Sequence, residues 1–377
     1  MSLSFVLAGG GTGGHVFPLI AVADALRKLD LHHQILFVGT RRGLEVTAVP
    51  AHGYAIEFLD IKPIRGGGIV GALRGIAKAV ASMPESAKLI RNRKPDVVLS
   101  VGGYAAGPVT LAAWANGVPT ALLEPNSEMG LSNLALASVV DRAYTAFEGT
   151  ERHFSRARVL RAGVPLRPGF APKPWVEHAG PLRLLVLGGS QGAASINEMV
   201  SKLRTILNVP IEIRHQCGRA HFPHVRGLYA EQNQDGLSIE PFIDDMPSAL
   251  AWADVVISRA GASAIGEICS VGRASLLIPF PFAAGDHQAK NARAVAKSGA
   301  AIYLDQRLAT AEHVRDKIAS LVHERGRLGQ MCRAAQLLGR PDAAMTIATD
   351  MIALAKSKSS HIDRKVTSSS NERQVEA

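Results

Sequence analysis

Cysteine is scarce in this 377-residue chain. Cys217, Cys269 and Cys332 are far apart and odd in number. They supply neither a metal-ligand spacing nor a disulfide framework, which fits a reducing compartment. Aromatic residues make up 5% of the chain and do not interleave with basic runs. That pattern speaks against a base-stacking platform, so we expect no nucleic-acid partner. No apolar run approaches the ~18–20 residues of a membrane-spanning helix. The chain opens directly on a strand-like run, so we expect no secretory signal. No Asp-x-Asp stands near a strand end with metal-ligand spacing, so we expect no metal.

Two further absences concern a glycine loop. Gly9-Gly10-Gly11-Thr12-Gly13-Gly14 satisfies Gly-x-Gly-x-x-Gly at Gly9, Gly11 and Gly14 but lacks the Gly-Lys-Ser/Thr of a triphosphate P-loop. The next strand-like run, Gln34–Thr40, ends in Gly39 and Thr40, without the acid that a dinucleotide site turns to its ribose. An NAD-dependent oxidoreductase is therefore disfavoured.

What is present is ordinary globular material: 47% hydrophobic and 20% charged residues. The length suits two domains. The net charge of +10, with a pI near 9.7, points to an anionic partner or surface rather than to a fold. Apolar runs at Phe5–Ala8, Ile35–Val38, Val97–Ser100 and Thr120–Leu123 alternate with helical patterns, which predicts a parallel sheet between helices. The first run leads through the glycine loop to His15 and a helix carrying Val16, Leu19, Ile20, Ala23 and Leu26, with Pro18 in its first turn. Strand, glycine loop and helix N-terminus together form an anion cradle.

Five prolines between Pro165 and Pro181 read as a linker. The opening theme then recurs. A strand at Leu182–Leu187 runs into Gly188-Gly189-Ser190-Gln191-Gly192-Ala193, and further strands are predicted at Ile211–His215, Leu237–Glu240, Val255–Ser258 and Ser275–Pro279. Ser190 is placed to reach a phosphate. In Ser258–Glu267, Gly261 and the small residues Ala262, Ser263 and Ala264 open a helix that suits a pyrophosphate, and Glu267 suits ribose hydroxyls. A Pro-Phe-Pro-Phe loop leads to Asp286-His287-Gln288, side chains that suit a sugar. The domains expected are 1–164, a linker at 165–181, a second domain at 182–344, a helix at 345–355 returning to the first domain, and a disordered tail at 356–377. Two doubly wound domains would face one another across a cleft, with the ligand at the C-terminal ends of their strands.

Within 63–94, Ile69, Leu73, Ile76, Val80 and Met83 form one helical stripe, and Arg65, Arg74, Lys78, Lys88, Arg91, Arg93 and Lys94 surround it. A stripe with basic flanks suits an interfacial helix on anionic lipid.

Several of these stretches together resemble the MurG family. They are GGGTGGH (Gly9–His15), KPDVV (Lys94–Val98), VGGYAAGP (Val101–Pro108), GGSQGA (Gly188–Ala193), FIDDM (Phe242–Met246), SRAGASAIGE (Ser258–Glu267) and the Asp-His-Gln-x-x-Asn-Ala of 286–292. The likeness covers roughly residues 3–355. It implies a GT-B glycosyltransferase that inverts the sugar carbon, moving GlcNAc from UDP-GlcNAc to lipid I to give lipid II and UDP, without a cofactor or metal. It implies work at the cytoplasmic face of the bacterial inner membrane, beside cell-wall and division machinery. The family's donor contacts fall on Thr12, Gly13, Gly14, Asn126, Arg167, Ser190, Ile243, Ala262, Ser263, Ala264, Ile265, Gly266, Glu267 and Gln288. Two departures occur: Glu124-Pro125-Asn126 where the family has Glu-Gln-Asn, and Gly163-Val164-Pro165 where it has Gly-Asn-Pro. The reaction needs a base for the acceptor hydroxyl. His15 and Glu124 are the two candidates. Beside the second glycine loop, Thr12–Gly14 is better placed on the acceptor side. A UDP-GlcNAc 2-epimerase would share the fold but needs more carboxylates, and a non-catalytic sugar-nucleotide binder would not need His15.

Overall fold

The computed structural model describes residues 2–60, 81–103, 105–189 and 191–357. The membrane-stripe candidates Ile69, Leu73, Arg74, Ile76, Lys78 and Val80, and the phosphate candidate Ser190, lie outside the described residues. The chain forms two compact units. Unit 1 holds residues up to Pro125, Met129–Arg167 and the chain from Asp342; unit 2 holds Asn126–Glu128 and Pro168–Pro341.

Unit 1 is built on a seven-stranded parallel sheet. Its strands are β1 (Ser4–Ala8), β2 (Gln34–Gly39), β3 (Ala55–Phe58), β4 (Val97–Ser100), β5 (Thr120–Glu124), β6 (Arg142–Thr145) and β7 (Arg158–Leu160), in the order β3-β2-β1-β4-β5-β6-β7. Phe5, Val6, Leu7 and Ala8 are all buried, the mark of a central parallel strand covered on both faces. Strand order reverses between β1 and β4, so loops leaving these two strands flank the crevice where such sheets bind ligands. The helix over 343–357 belongs to this unit. Ile347, Ala348, Met351 and Leu354 join the core of β1 and the helix Gly13–Leu29. Tyr144 donates to the Asp350 carboxylate at 2.9 Å, and Arg142 lies 3.3 Å from the same group.

Unit 2 repeats the plan with six parallel strands: β8 (Leu182–Leu187), β9 (Ile211–Gln216), β10 (Leu237–Glu240), β11 (Val255–Ser258), β12 (Ala274–Leu277) and β13 (Ala301–Tyr303). The order is β10-β9-β8-β11-β12-β13, and the reversal lies between β8 and β11. Most of the proline-rich segment is held by this unit. The buried Arg273 guanidinium donates to the carbonyls of Lys173, Val271, Gly272 and Ala251. The buried Asp254 carboxylate accepts from Trp175 Nε1 at 2.7 Å and from Arg183 N at 2.8 Å, and pairs with His178 at 3.1 Å.

Four strands escape the sequence pattern: β3, β6, β7 and β13. Three of them are sheet edges, and their runs AIEF, RAYT, RVL and AIY are short and mixed in polarity. An edge strand is covered less completely, so its sequence is under weaker apolar pressure.

Beneath the helix Ala194–Ile206, His215 is fully buried. Its Nε2 donates to Asn197 Oδ1 at 3.0 Å, and its Nδ1 accepts from the Tyr229 hydroxyl at 3.1 Å. Burial pulls its pKa down to about 4 from an ordinary value near 6.5. The folded state therefore resists protonation that the unfolded chain accepts. Unit 2 should keep its full stability above pH ~6.5 and lose about 1.4 kcal/mol per pH unit as the pH falls from there toward 4. Unfolding curves across that range, compared with His215→Gln, check this; equal slopes in the two proteins would contradict it.

Candidate active site

In unit 1 the site begins where β1 ends. Thr12 stands in extended backbone at the N-cap of the helix Gly13–Leu29, whose first turn holds no acid. The positive end of the helix therefore meets no internal counter-charge from its own first turn. The glycines of the loop serve different ends. A Cβ on Gly9 would lie 2.6 Å from Val101 and 2.9 Å from Leu19, so Gly9 is a packing glycine. Gly11 has φ +92°, which disfavours any other residue. A Cβ on Gly10 would collide with the Glu45 carboxylate. Gly14 meets only Thr12 Oγ1, at 3.8 Å. A Cβ on Gly13 would already lie 3.3 Å from Phe17, so of these glycines Gly14 is the one best accounted for by close approach of a ligand.

Glu45 was not singled out by sequence. It opens the helix Glu45–Ala51 and is 1% exposed. Its Oε2 accepts from Gly11 N at 2.8 Å, and its Oε1 accepts from Thr40 N and Thr40 Oγ1, each at 3.0 Å. An acid does follow the second strand, then, but its oxygens fasten the loop. The signal was a lone glutamate in Gly43-Leu44-Glu45, with no periodicity to mark it.

His15 is half-buried, and its Nδ1 lies 3.1 Å from the Gly10 carbonyl. A carbonyl only accepts, so this bond puts the proton on Nδ1 and makes Nε2 the basic nitrogen. Glu124, at the end of β5, is buried. Its Oε2 accepts from Gly130 N at 3.2 Å and from Asn133 Nδ2 at 2.9 Å. These bonds tie both ends of the loop after β5. Arg167 is exposed at the end of unit 1's Met129–Arg167 segment.

In unit 2 the helix Ala262–Val271 starts at Gly261, in extended backbone, with no acid in its first turn. The Ser263 hydroxyl is buried there without a hydrogen-bond partner among the described residues. Ala264, Ile265 and Gly266 complete the turn. Glu267 is the sixth residue of the helix, half-buried, and stands in the second turn. The field of the helix N-terminus fades beyond the first turn, so it adds little at Glu267. Ile243 is buried, and its N–H donates to Gln216 Oε1 at 3.0 Å, which leaves its carbonyl as the backbone group for a ligand. Gln288 Oε1 accepts from Phe280 N at 3.0 Å, so its amide N–H groups are what it can offer a sugar. Asp286 adopts φ +57° and makes no side-chain cap; it lies 3.7 Å from Arg293. Asp245 does cap, accepting from Ser248 N at 3.1 Å. Asn126 Oδ1 accepts from the buried Asn291, whose own Oδ1 accepts from Ser127 N.

Arg259 is a further group that sequence reasoning passed over. It follows β11, just ahead of the Gly261 N-cap in the chain, and donates to the carbonyls of Ile278 and Pro279 and to Ser195 Oγ. Burial holds its pKa below the ordinary arginine value. Among the described residues no ion pair engages it. The candidates divide between the units: Thr12–His15 follow β1 and Ala262–Glu267 follow β11, each a strand at its sheet's switch point, whereas Ile243 follows β10 and Gln288 follows β12. Thr12, Gly13, Gly14 and His15 gather in unit 1. Ala262–Glu267, Ile243, Gln288 and Arg259 belong to unit 2. Among the described residues no cluster of three or more His, Cys, Asp or Glu is placed to hold a metal.

Comparison with known proteins accords with this geometry. Residues 5–145 match the glycosyltransferase family 28 N-terminal domain, and residues 183–347 match the C-terminal domain of that family. A relative from Sorangium cellulosum (strain So ce56) is 47% identical over 94% of this chain and 89% of its own length. It is named UDP-N-acetylglucosamine--N-acetylmuramyl-(pentapeptide) pyrophosphoryl-undecaprenol N-acetylglucosamine transferase. A relative of the same name from Aeromonas hydrophila is 40% identical over 94% of this chain and 98% of its own. The crystal structure of Acinetobacter baumannii MurG superposes with a TM-score of 0.79 at 31% identity, covering 94% of this chain and 100% of that one. The chain belongs to the MurG family. Its two parallel-sheet domains are those of the GT-B fold, as the family likeness implied. A UDP-N-acetylglucosamine 2-epimerase from Listeria monocytogenes shares that fold at 14% identity and a TM-score of 0.63, which bears on architecture alone.

Proposed function

We propose that this MurG-family chain transfers GlcNAc from UDP-GlcNAc to the 4-hydroxyl of MurNAc in lipid I, with inversion, releasing UDP. The observation that carries this is identity of 37–47% to transferases of that name over more than nine-tenths of the chain. The donor carries an α-linked leaving group, so one direct attack gives a β link. His15 Nε2 takes the proton of the attacking hydroxyl while the bond from C1 to UDP breaks. Negative charge grows on UDP, and the N-terminus of Ala262–Val271, Ser263 and Arg259 are the groups suited to meet it. Glu267 suits the ribose, the Ile243 carbonyl the uracil, the Gln288 amide the sugar, and Ser190 a phosphate. Asn126 and Arg167 complete the donor set. Thr12, Gly13 and Gly14 suit the diphosphate of lipid I. Glu124, whose carboxylate already ties the loop after β5, serves as an anchor rather than as the base.

The unpartnered Ser263 hydroxyl gives a separable test. Ser263→Ala should leave thermal stability unchanged and weaken UDP binding on the order of 10-fold, the scale of a hydrogen bond to a charged group. Calorimetric titration with UDP reads it; equal affinity would remove Ser263 from the site.

Lipid I calls for a membrane approach. Among the described residues no helix is long and apolar enough to cross a bilayer. The stripe Ile69, Leu73, Ile76 and Val80 with Arg74 and Lys78 is our interfacial surface, at the cytoplasmic face of the inner membrane. Exposed Lys88, Arg91 and Lys94 on the neighbouring helix Met83–Arg93 and its cap, and Trp114, 44% exposed, support it. Ile69→Glu with Leu73→Glu should abolish sedimentation with anionic vesicles; unchanged sedimentation of a folded variant refutes the surface. Cell-wall and division proteins are the partners this location would bring.

A further inference from the structure

The peptide between Gly10 and Gly11 is used from both sides. Its carbonyl accepts from His15 Nδ1 at 3.1 Å, and its N–H donates to Glu45 Oε2 at 2.8 Å. A carboxylate, one peptide group and an imidazole therefore lie in a single hydrogen-bonded row. The other carboxylate oxygen is held by Thr40 N and Thr40 Oγ1, which fixes the plane of the group. Three glycines leave space for it, Gly10 after β1 and Gly39 and Gly43 at and just after the end of β2. A Cβ on Gly10 or Gly43 would collide with the carboxylate, and one on Gly39 would lie 2.7 Å from Glu45 Cγ. The carboxylate is 1% exposed.

We propose that Glu45 is a positioning residue for His15, acting through the Gly10–Gly11 peptide. An N–H that donates to a carboxylate makes its own carbonyl a stronger acceptor, since bonds in a row polarise one another. The strengthened carbonyl holds the proton on Nδ1, presents Nε2 as the basic nitrogen, and favours the imidazolium once Nε2 is protonated. Histidines that act as bases or ligands are commonly set by the bond on their other nitrogen. Here a peptide stands where a side-chain carboxylate would touch the ring directly. That spacing keeps the negative charge a peptide's width away from an anionic substrate at Thr12–Gly14. Glu45 itself takes no proton. The acceptor hydroxyl gives its proton to Nε2, the O–C1 bond forms, the C1–O bond to UDP breaks, and the imidazolium later releases the proton to solvent. The catalytic part of this inference rests on the reading of His15 as the base.

The test uses the full chain labelled with 15N-histidine. Long-range proton–nitrogen correlations report which nitrogen of neutral His15 is protonated. Wild-type protein should show the Nδ1–H form, and a dominant Nε2–H form would overturn the proposal without any variant. Glu45→Gln should give a mixture of tautomers and lower kcat by about 10-fold, with KM for UDP-GlcNAc unchanged. Thr40→Val loosens the loop but leaves the row intact, so it should lower the melting temperature while His15 stays in the Nδ1–H form. A His15 spectrum in Glu45→Gln identical to wild type overturns the proposal. A changed tautomer with unchanged kcat upholds the coupling and removes instead the reading of His15 as base.

Discussion

Replacing His15 by alanine should lower kcat by about 100-fold or more, the scale on which a general base contributes. The expectation rests on one geometric fact. The Nδ1 bond to the Gly10 carbonyl leaves Nε2 as the nitrogen that can take a proton. Glu124 offers the natural comparison. Its Oε2 already accepts from Gly130 N and Asn133 Nδ2, and an acceptor so engaged acts first as a fastening for its loop. Glu124→Gln keeps one acceptor oxygen and should cost less in kcat than His15→Ala. Steady-state kinetics with both substrates saturating decides between them. Near-wild-type kcat in His15→Ala, or a larger loss in Glu124→Gln, would reverse the assignment.

The largest expected effect on stability is at Asp254. Its buried carboxylate serves Trp175, His178 and Arg183 N, and so binds the proline-rich segment and the start of β8 to one point of unit 2. Asp254→Ala strands the Trp175 and Arg183 N–H groups and leaves His178 without its carboxylate. Removing one member of a buried polar pair costs about 3 kcal/mol or more. A unit of this size should then melt on the order of 6–12 °C lower. Because the sheet of unit 1 does not involve Asp254, the unfolding of unit 2, followed by Trp175 and Trp252 fluorescence, should shift alone. An unchanged midpoint would mean that the segment is held by its apolar contacts.

Much of the fold was legible because central parallel strands are apolar on both faces. SFVLA, VVLS, LRLLVL and VVIS are largely apolar runs, and the glycine loops after β1 and β8 mark where each sheet turns to a helix. Three of the four edge strands were not legible, since β3 is short and mixed in polarity and Arg158–Leu160 and Ala301–Tyr303 are three residues each; the fourth edge, β10, was. The candidate site divides in the same way. Candidates on a local turn, such as Gly14 and Ser263, stand out by the spacing of glycines and small residues, and Thr12 through the family likeness. Groups that act through distant backbone do not. Glu45 reaches a loop 34 positions earlier, Gln216 takes the N–H of Ile243, and Arg259 spans Ser195 and Pro279. One stretch of glycines also looked uniform in sequence and proved not to be. Gly9 makes room for Val101 and Leu19, Gly10 for Glu45, and Gly14 lies open.

The central claim is the transfer itself. Purified full-length protein should be given UDP-GlcNAc radiolabelled in the sugar together with a lipid I analogue. The account predicts label in a β1→4-linked disaccharide lipid, with UDP released in equal amount, and both products formed about 100-fold more slowly or worse with His15→Ala. Label that stays on the nucleotide sugar, or an α-linked product, would contradict it.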